Sequence, residues 1–227
     1  MTDFAAAGGD LAVEVAGERV ILLPEHALFR PGAGTLLVAD PHWGKAAAFR
    51  AAGLPVPGGT TSAGLERLSR ALERTGARRL VILGDLLHAR EGRAPRTLEA
   101  VRAWRDRHAA LSITLVRGNH DRRAGDPPAE LGIECCDPPC LSAPFVLDHH
   151  PEPSGAGYVL AGHVHPSVTL RGAGRQRKRL PCFHFGARVG LLPAFGDFTG
   201  TADVSVLPGD RVFVVAGDDV LEIGGGS

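Results

Sequence analysis

The residues best suited to chemistry in this chain lie in five short polar clusters, each of which follows a run of apolar residues. The clusters contain histidine, aspartate and one asparagine, and they hold seven of the ten histidines. In chain order they are Asp40-x-His42, Gly84-Asp85-x-x-His88, Gly118-Asn119-His120-Asp121, His149-His150 and Gly162-His163-x-His165. A single histidine after a strand is most often structural, but five clusters at equivalent positions together indicate a site.

The donor types in these clusters predict a metal centre. Imidazoles, carboxylates and one amide oxygen, without thiolate, suit Mn²⁺, Fe²⁺ or Zn²⁺. There are more donors than one ion needs, so two ions with a bridging carboxylate are expected. Two ions about 3.5–4 Å apart commonly promote in-line attack on a phosphate ester. A serine nucleophile finds no support because G-x-S-x-G is absent, and Gly58-Gly59-Thr60-Thr61 lacks the ending of a P-loop.

The elements that must position these clusters are short strands alternating with helices. Unbroken runs of Val, Leu and Ile predict strands buried on both faces. The predicted strands are Leu36–Ala39, Leu80–Leu83, Ile113–Val116, Phe145–Leu147 and Tyr158–Ala161. Apolar residues on one stripe predict helices over Thr61–Arg74 and Thr97–His108. This alternation indicates an α/β sheet in at least the first half, with ligands beyond the carboxyl ends of its strands.

The second half of the chain is predicted to be rich in β-structure. The expected strands are Ser167–Leu170, Arg179–Phe185, Val204–Leu207, Arg211–Val215 and Val220–Ile223, with a tight turn at Pro208-Gly209-Asp210. An opening hairpin is expected from Leu11–Val15 and Arg19–Leu23. No internal repeat or linker interrupts the pattern, so residues 1–227 are expected to form a single domain.

Composition excludes several classes of protein. With 227 residues, 44% hydrophobic and 22% charged, the chain is neither disordered nor fibrous in character. Its longest apolar stretches, about eight residues, are too short for a membrane-spanning helix, and no membrane association is expected. The first residues resemble no signal peptide. Cys135, Cys136, Cys140 and Cys182 form no pair of CxxC motifs, so a reduced, cytoplasmic protein is expected, with zinc binding by the first three as a weaker alternative.

Charge is unevenly distributed along a chain whose formal net charge is zero. No acid occurs from residue 153 to 196, where six cations lie. The stretch from 90 to 123 holds nine arginines against four acids. Cations therefore lie close in sequence to three of the five clusters, as a polyanionic substrate would require. The neutral isoelectric point and the few aromatic residues argue against tight, general DNA binding.

The series of five motifs resembles the calcineurin-like metallophosphoesterases, in that family's order and approximate spacing. Further segments resemble the bacterial ligase-associated DNA damage response endonucleases (PdeM-type). They are Gly44–Arg50, Gly53–Pro57, Leu180–Phe183 and Leu192–Gly200. The resemblance implies a four-layer αββα sandwich, in which two mixed β-sheets are flanked by helices and the five metal loops share one edge.

The resemblance also implies roles for individual residues. Asp40, His42 and His165 would bind one ion, Asn119, His149 and His163 the other, with Asp85 bridging the two. His120 would stabilise the scissile phosphate or protonate the leaving oxygen, and Asp121 would orient His120. Either His149 or His150 can be the ligand, and the first is favoured. His88 would lie behind the ligands or face the substrate, although a role as a loop residue fits equally well. His26, His108 and His184 match no motif and are expected to be structural.

The activity implied by the resemblance is that of a manganese-dependent DNA endonuclease in repair. Its two divalent ions would be Mn²⁺, with Fe²⁺ or Zn²⁺ as alternatives, and its substrate DNA, in single-stranded form. A functional link to an ATP-dependent ligase, a helicase and an exonuclease is implied as well. Expected substrate contacts, besides His88, are Arg175, Arg177, Lys178 and Arg179, in or beside a loop that follows the last metal motif. The alternatives are a phosphohydrolase acting on a nucleotide or a lipid-linked diphosphate, and a non-catalytic scaffold, which the intact motifs disfavour.

Overall fold

The first of two β-sheets opens with an antiparallel hairpin and continues as a parallel sheet. The computed structural model describes residues 8–56, 59–172, 176–197 and 199–224. Strands pair antiparallel from β1 to β4 and parallel from β4 to β7, in chain order across the sheet. The seven strands are β1 (Leu11–Val15), β2 (Glu18–Leu23), β3 (Ala27–Arg30), β4 (Thr35–Ala39), β5 (Arg79–Leu83), β6 (Ser112–Val116) and β7 (Ile133–Cys136).

The second sheet is also mixed and contains the rest of the strands. Its order is β14-β11-β12-β13-β10-β9-β8, with β15 pairing to β12 and β16 to β15. Within it, β10 runs parallel to both β9 and β13. The nine strands are β8 (Cys140–Ser142), β9 (Phe145–Leu147), β10 (Tyr158–Ala161), β11 (Pro166–Arg171), β12 (Arg177–Phe185), β13 (Val189–Leu191), β14 (Ala202–Asp203), β15 (Arg211–Ala216) and β16 (Asp219–Ile223).

Helices occupy the crossovers of the first sheet. They are α1 (Lys45–Ala51), α2 (Thr60–Thr75), α3 (Pro95–Arg107) and α4 (Asn119–Ala124), with 3₁₀ helices at Pro31–Ala33, Arg90–Arg93 and Ala129–Leu131. In α2, Leu65, Leu68 and Leu72 form the buried stripe that the sequence predicts, and Gly76 ends the helix in the left-handed conformation. Pro95 begins α3, where its missing N–H costs no hydrogen bond.

The core lies on both faces of the first sheet. One face packs against α2 and α3 through residues such as Leu68 and Trp104. The other packs against the second sheet, where Leu37, Phe183 and Phe213 belong to one buried cluster. The predicted architecture of two mixed sheets with flanking helices is confirmed, as are the predicted opening hairpin and the strands that precede the five clusters.

The outer face of the second sheet differs from the expected fourth layer of helices. In the described part of the chain no α-helix follows α4, and residues 199–210 cross this face instead. Val204 packs against two buried clusters of this face, one of which includes Val159 and the other Cys182. The prediction of a strand over Val204–Leu207 is therefore wrong: Val204 is used for packing, and the strand is the shorter Ala202–Asp203. The turn at Pro208-Gly209 is present, since the Asp210 amide donates to the Leu207 carbonyl.

Two cysteines are paired, contrary to the expectation of a fully reduced chain. Cys136 at the end of β7 and Cys140 at the start of β8 form a disulfide. The short connection between the two strands brings their Cα atoms to 6.8 Å, within reach of a bridge. Cys135 and Cys182 are free thiols. None of the helices in the described ranges combines the length and apolar character of a membrane span.

Candidate metal centre

The five polar clusters meet because both sheets direct the carboxyl ends of parallel strands to one edge. From the first sheet, Asp40 follows β4, Asp85 follows β5, and Asn119 follows β6. From the second sheet, His149 follows β9, and the loop with His163 and His165 follows β10. Ligands of open α/β sheets bind at this edge. The fold therefore brings together donors that lie up to 125 residues apart in the sequence.

The donor atoms form three overlapping groups, and the atoms within each group lie within 4.8 Å of one another. The groups are Asp40, His42 and His165; Asp40, Asp85 and His149; and His149, His150 and His163. Asp40 Oδ1 lies 3.6 Å from His165 Nε2, and Asp85 Oδ1 lies 3.4 Å from His149 Nε2. Asp85 Oδ2 is 4.0 Å from His42 Nε2, so the two carboxylate oxygens of Asp85 face histidines on opposite sides.

Backbone carbonyls fix the orientation of three histidines in the cluster. Nδ1 of His120, His149 and His165 lies 2.7, 3.1 and 2.8 Å from the carbonyl oxygens of His88, Leu83 and Gly200. A carbonyl oxygen only accepts hydrogen bonds, so each Nδ1 must carry the proton and donate it. The Nε2 atom of each ring is then left with its lone pair directed into the site, as metal-binding histidines require.

The Nε2 lone pair of His149 faces two oxygen atoms, which is the observation that best fits a bound cation. His149 Nε2 faces Asn119 Oδ1 at 2.9 Å and Asp85 Oδ1 at 3.4 Å. His42 Nε2 and His165 Nε2 lie 3.4 Å apart. Asp40 Oδ1 is fully buried and has no hydrogen-bond partner among the described residues. The other oxygen, Oδ2, accepts from the His163 amide at 2.9 Å. A buried carboxylate with one oxygen unpaired is costly unless a cation neutralises it, so these residues fit two divalent ions.

Five of these side chains stand on strained backbone. The φ angles of Asp40, His42, Asp85, His163 and His165 are 52, 46, 53, 69 and 52°, in the left-handed region. Residues other than glycine seldom adopt this region, and each such residue costs on the order of 1–3 kcal/mol. Strain of this kind clusters at functional sites, where the surrounding structure holds it in place. The concentration at five candidate ligands indicates that the backbone is shaped for the site.

The glycines of three motifs leave room for the ligands. A Cβ atom on Gly84 would collide with the ring of His149, and one on Gly118 would collide with the carboxylate of Asp85. On Gly162 it would meet Asp40 Oδ2 at 2.5 Å. Each glycine thus lies against a ligand from a different loop, which explains why glycine precedes the chemical residue in these motifs.

Burial keeps part of the cluster neutral in the metal-free protein. It lowers the pKa of His42 to about 2, with further lowering by the charges of Lys45 and His165. Burial also lowers the pKa of His163, as do the neighbouring His149 and His150. These imidazoles remain unprotonated at neutral pH and present lone pairs. For His165 burial, which lowers the pKa, is outweighed by the charge of the nearby Asp40 and by the Gly200 carbonyl, so its pKa is raised.

His120 lies at the open side of the cluster. Its Nε2 is 3.8 Å from Asp85 Oδ2, and its side chain is 32% exposed, so a bound substrate can reach it. The imidazole of His88 stacks on it, with ring centroids 5.2 Å apart. Phe49 packs edge-on against the ring of His88, with ring centroids 5.6 Å apart. His88 therefore lines the side of the site next to His120.

The expectation that Asp121 orients His120 is wrong. The carboxylate of Asp121 is buried and accepts hydrogen bonds from the backbone amides of Asp85 at 2.7 Å and Gly118 at 2.9 Å. It also accepts from the amides of Leu86 and Leu87. The physical reason is that the loop after β5 turns its N–H groups inward, where they need an acceptor. Asp121 thus fastens the Asp85 loop, and the His88 carbonyl orients His120.

His149 and His150 differ in burial. His149 is fully buried, and its Nε2 points at Asn119 and Asp85. The ring of His150 packs edge-on against His149 and lies 4.6 Å from that of His163. This placement favours His149 over His150 as the metal ligand beside Asn119 and Asp85.

Sequence reasoning gave no role to Lys45. Burial lowers its pKa, while the charges of Asp85 and Asp40 act in the opposite direction, so its ammonium lies within range of both carboxylates. It also lies 5.8 Å from the centre of the Phe49 ring. The available signal was composition, because Lys45 is one of only two lysines in a chain rich in arginine.

The basic residues after the last metal motif are placed differently from the expectation. Arg177, Lys178 and Arg179 lie in β12, exposed, rather than in a loop. Arg179 is paired with Asp203 at 3.0 Å. Lys178 and Arg177 pair in register with Leu170 and Arg171, at the far end of β11 from His165. At about 3.3 Å per residue this is some 20 Å of strand. Arg175 lies outside the described residues.

The three histidines outside the motifs have local partners. His26 Nδ1 donates to the Ala194 carbonyl at 2.9 Å, and His184 pairs with Asp210 at 2.8 Å. His108 Nε2 lies 2.8 Å from the Ser69 hydroxyl, on the helical layer. All three have the structural surroundings that the sequence predicted.

Comparison with solved structures identifies the family. No protein-family model and no curated protein matches this chain. The crystal structure of nuclease MPE from Pseudomonas putida is 45% identical, covers 94% of this chain and 100% of its own, and superposes with a TM-score of 0.85. YfcE, a phosphoesterase from E. coli, is 17% identical over 81% of this chain and 88% of its own, with a TM-score of 0.38. On the first of these similarities, this chain belongs to the metallophosphoesterase family that includes nuclease MPE.

Proposed function

We propose that this protein is a metal-dependent nuclease that hydrolyses phosphodiester bonds in DNA. The observation that carries the proposal is the convergence of opposed donor lone pairs at one edge of the two sheets, in a chain 45% identical to a nuclease. We assign Asp40, His42 and His165 to one ion and Asn119, His149 and His163 to the other, with Asp85 between them. Both sheets contribute to this set, so we also propose that residues 1–227 act as one domain.

Two divalent ions held by these residues would supply Lewis acidity and an activated water. The chain's own part begins with Asp85, whose two carboxylate oxygens face donors of both groups. Asp121 holds the loop of Asp85 by its backbone amides. His120 directs Nε2 towards the open side because its Nδ1 proton is donated to the His88 carbonyl. A protonated Nε2 can stabilise the scissile phosphate or give its proton to the leaving oxygen.

The finer features of the proposal rest on the motif resemblance. We propose Mn²⁺ as the native ion, single-stranded DNA as the substrate, cleavage within the strand, and a role in repair beside a ligase, a helicase and an exonuclease in the cytoplasm. Arg177 and Lys178 are proposed DNA contacts on the surface of β12. His88 is proposed to contact the substrate, in keeping with its position beside His120.

The decisive experiment is cleavage of circular single-stranded DNA in the presence of Mn²⁺, run beside a panel of nucleotides. Circular DNA has no ends, so its cleavage requires an endonuclease. Asp85→Ala is the matched control, because it should lose metal and activity together. Hydrolysis of a nucleotide or a lipid-linked diphosphate without any cleavage of DNA would overturn the proposal and identify a small-molecule phosphohydrolase.

A further inference from the structure

Two arginines extend from His120 and His88 along the surface beside the metal centre. Arg123 lies in α4, three residues after His120 and four after Asn119. Residues three and four apart on a helix share a face, with Cβ atoms about 5–6 Å apart. Helical side chains also lean towards the N-terminus, which in α4 is the end at the metal centre. Arg123 therefore lies on the same face of α4 as His120, one turn further along the helix.

Arg90 lies against α4 from a different loop. It lies two residues after His88 and begins a 3₁₀ helix. Its Nε donates to the Arg123 carbonyl at 3.3 Å, while the His88 carbonyl accepts from His120 Nδ1 at 2.7 Å. These two hydrogen bonds fasten the segments side by side, so that Arg90 and Arg123 continue outward from the stacked pair His88 and His120.

Both guanidinium groups are available to an anion. Arg90 and Arg123 are exposed, and no ion pair joins either of them to a carboxylate among the described residues. The nearest acids in sequence to Arg123 have other partners: Asp121 accepts from backbone amides, and Asp126 forms two hydrogen bonds with Arg117, at 2.7 and 2.8 Å. Within the described part of the chain, the surface beside His120 thus carries two positive charges without an ion-pair partner.

We propose that Arg90 and Arg123 bind the phosphate next to the scissile one, on the leaving-group side of a nucleic-acid strand. The inference rests on the proposed function, since it takes His120 to face the leaving oxygen. Arginine suits this task because its planar guanidinium pairs with two phosphate oxygens at once. Such a site gives a polynucleotide an advantage over a small phosphodiester that has only the scissile phosphate.

The test compares two substrates in Arg90→Ala, Arg123→Ala and the double variant. We measure kcat/KM with Mn²⁺ on a short oligodeoxynucleotide and on bis-nitrophenyl phosphate. The ratio of kcat/KM on the oligodeoxynucleotide to kcat/KM on bis-nitrophenyl phosphate should fall about tenfold or more for each arginine removed. This is the value of one charge-assisted hydrogen bond. The salt dependence of oligonucleotide binding should flatten by about 0.7 in logarithmic slope per lost phosphate contact.

Arg107→Ala is the matched control. Arg107 is also an exposed arginine, in the last turn of α3 and therefore at the amino end of β6, the edge opposite the site. Its loss should leave the ratio unchanged. An equal fall in Arg107→Ala would attribute the effect to overall charge and overturn the inference. Arg123→Lys keeps the charge, so its ratio should lie between those of Arg123→Ala and the wild type. This recovery would show that the loss in Arg123→Ala comes from the missing charge and not from misfolding.

A neutral methylphosphonate at the adjacent linkage locates the contact. In the wild type this substitution on the leaving-group side should lower kcat/KM by the same factor as the double variant, and the neutral linkage combined with the double variant should cost little more than either alone. Additive losses would overturn the assignment. If the wild type hydrolyses bis-nitrophenyl phosphate but no oligonucleotide, the proposed nuclease function fails instead, so the two failures are distinguishable.

Discussion

His120 Nδ1 lies 2.7 Å from the backbone carbonyl oxygen of His88, and this hydrogen bond leaves Nε2 as the nitrogen that faces the candidate metal site. The partner is a backbone atom, so it persists when the side chain of His88 changes. The ring of His88 lies against that of His120, with an interplanar angle of 22°. The two histidines therefore differ in their proposed roles: His120 is the proposed general acid, and His88 holds it through its main chain.

Replacing His120 by alanine should slow hydrolysis while both ions remain bound. The loss should be about 10²–10⁴-fold for DNA, the usual value of a positioned general acid. A nitrophenolate leaving group needs no proton, so nitrophenyl esters should lose less. Metal content, measured by elemental analysis, serves as the control. Equal losses on alkyl and nitrophenyl esters would refute proton donation.

Asp121→Ala should destabilise the loop of Asp85. Several buried backbone amides lose their acceptor, which costs roughly 1–3 kcal/mol for each group left unsatisfied. The midpoint temperature of thermal unfolding and the affinity for Mn²⁺ should both fall. The pH dependence of the residual activity should stay in place, because His120 keeps its bond to the His88 carbonyl. A shifted pH profile with unchanged stability would instead support the orienting role predicted from the resemblance.

Metal affinity should rise with pH. In the metal-free protein the pKa of His165 is raised, since Asp40 outweighs burial, and a proton on Nε2 competes with the ion. As pH falls through this pKa, His165 becomes protonated and affinity decreases by up to about tenfold per pH unit. Mn²⁺ titration calorimetry in buffers of different ionisation enthalpy counts the released protons. His184→Asn, outside the cluster, should show the same dependence, and an affinity independent of pH would contradict the assignment.

Gly84→Ala should damage the metal centre more than Gly53→Ala does. The two glycines have nearly the same φ, 78 and 80°, so alanine pays a similar conformational cost of about 1–2 kcal/mol at both. At Gly84 the added methyl also collides with His149, whereas nothing lies within 4 Å at Gly53. Only Gly84→Ala should lower Mn²⁺ affinity. Equal effects in both variants would show that conformation alone, and not ligand packing, selects glycine.

The basic end of β12 should contribute to DNA binding through two of its three cations. Arg177→Ala combined with Lys178→Ala should weaken binding without regard to sequence and flatten the salt slope by about 1.4 on single strands. Arg179→Ala should have a smaller effect because Asp203 already compensates that charge. Binding by fluorescence anisotropy at several salt concentrations measures both. Unchanged slopes would leave this end of β12 as a solvated surface.

The sequence predicts the positions of the metal motifs well because their signals are local. A buried strand that ends in Gly-Asp or Gly-Asn identifies both the strand and the loop, as at Gly84-Asp85 after β5. The stripe of leucines in α2 is likewise a property of consecutive residues. The parallel pairing of β4, β5 and β6 then places their loops at one edge without further information.

Contacts with backbone atoms could not be predicted in the same way. The partner of His120 is a carbonyl, and that of Asp121 is a set of amides, which carry no residue-specific signal. Homology suggested a contact between the two side chains, and the loop conformation decided otherwise. Helix α1 has no clear sequence signal because Lys45–Ala51 is short and mostly alanine, without an apolar stripe. The packing of Val204 depends on a sheet face that no local pattern reveals.

The proposed ligands are divided between the two sheets: four residues follow strands of the first, and three follow strands of the second. Each bound ion would therefore act as a cross-link between two halves of the chain that are contiguous in sequence and meet across one apolar interface. The ion concentration then affects how tightly the two halves associate, because an ion that binds only the assembled sandwich stabilises it by mass action. Two fragments divided between β8 and β9 would reassociate more tightly as Mn²⁺ is added, which would make this metal centre a switch for fragment complementation.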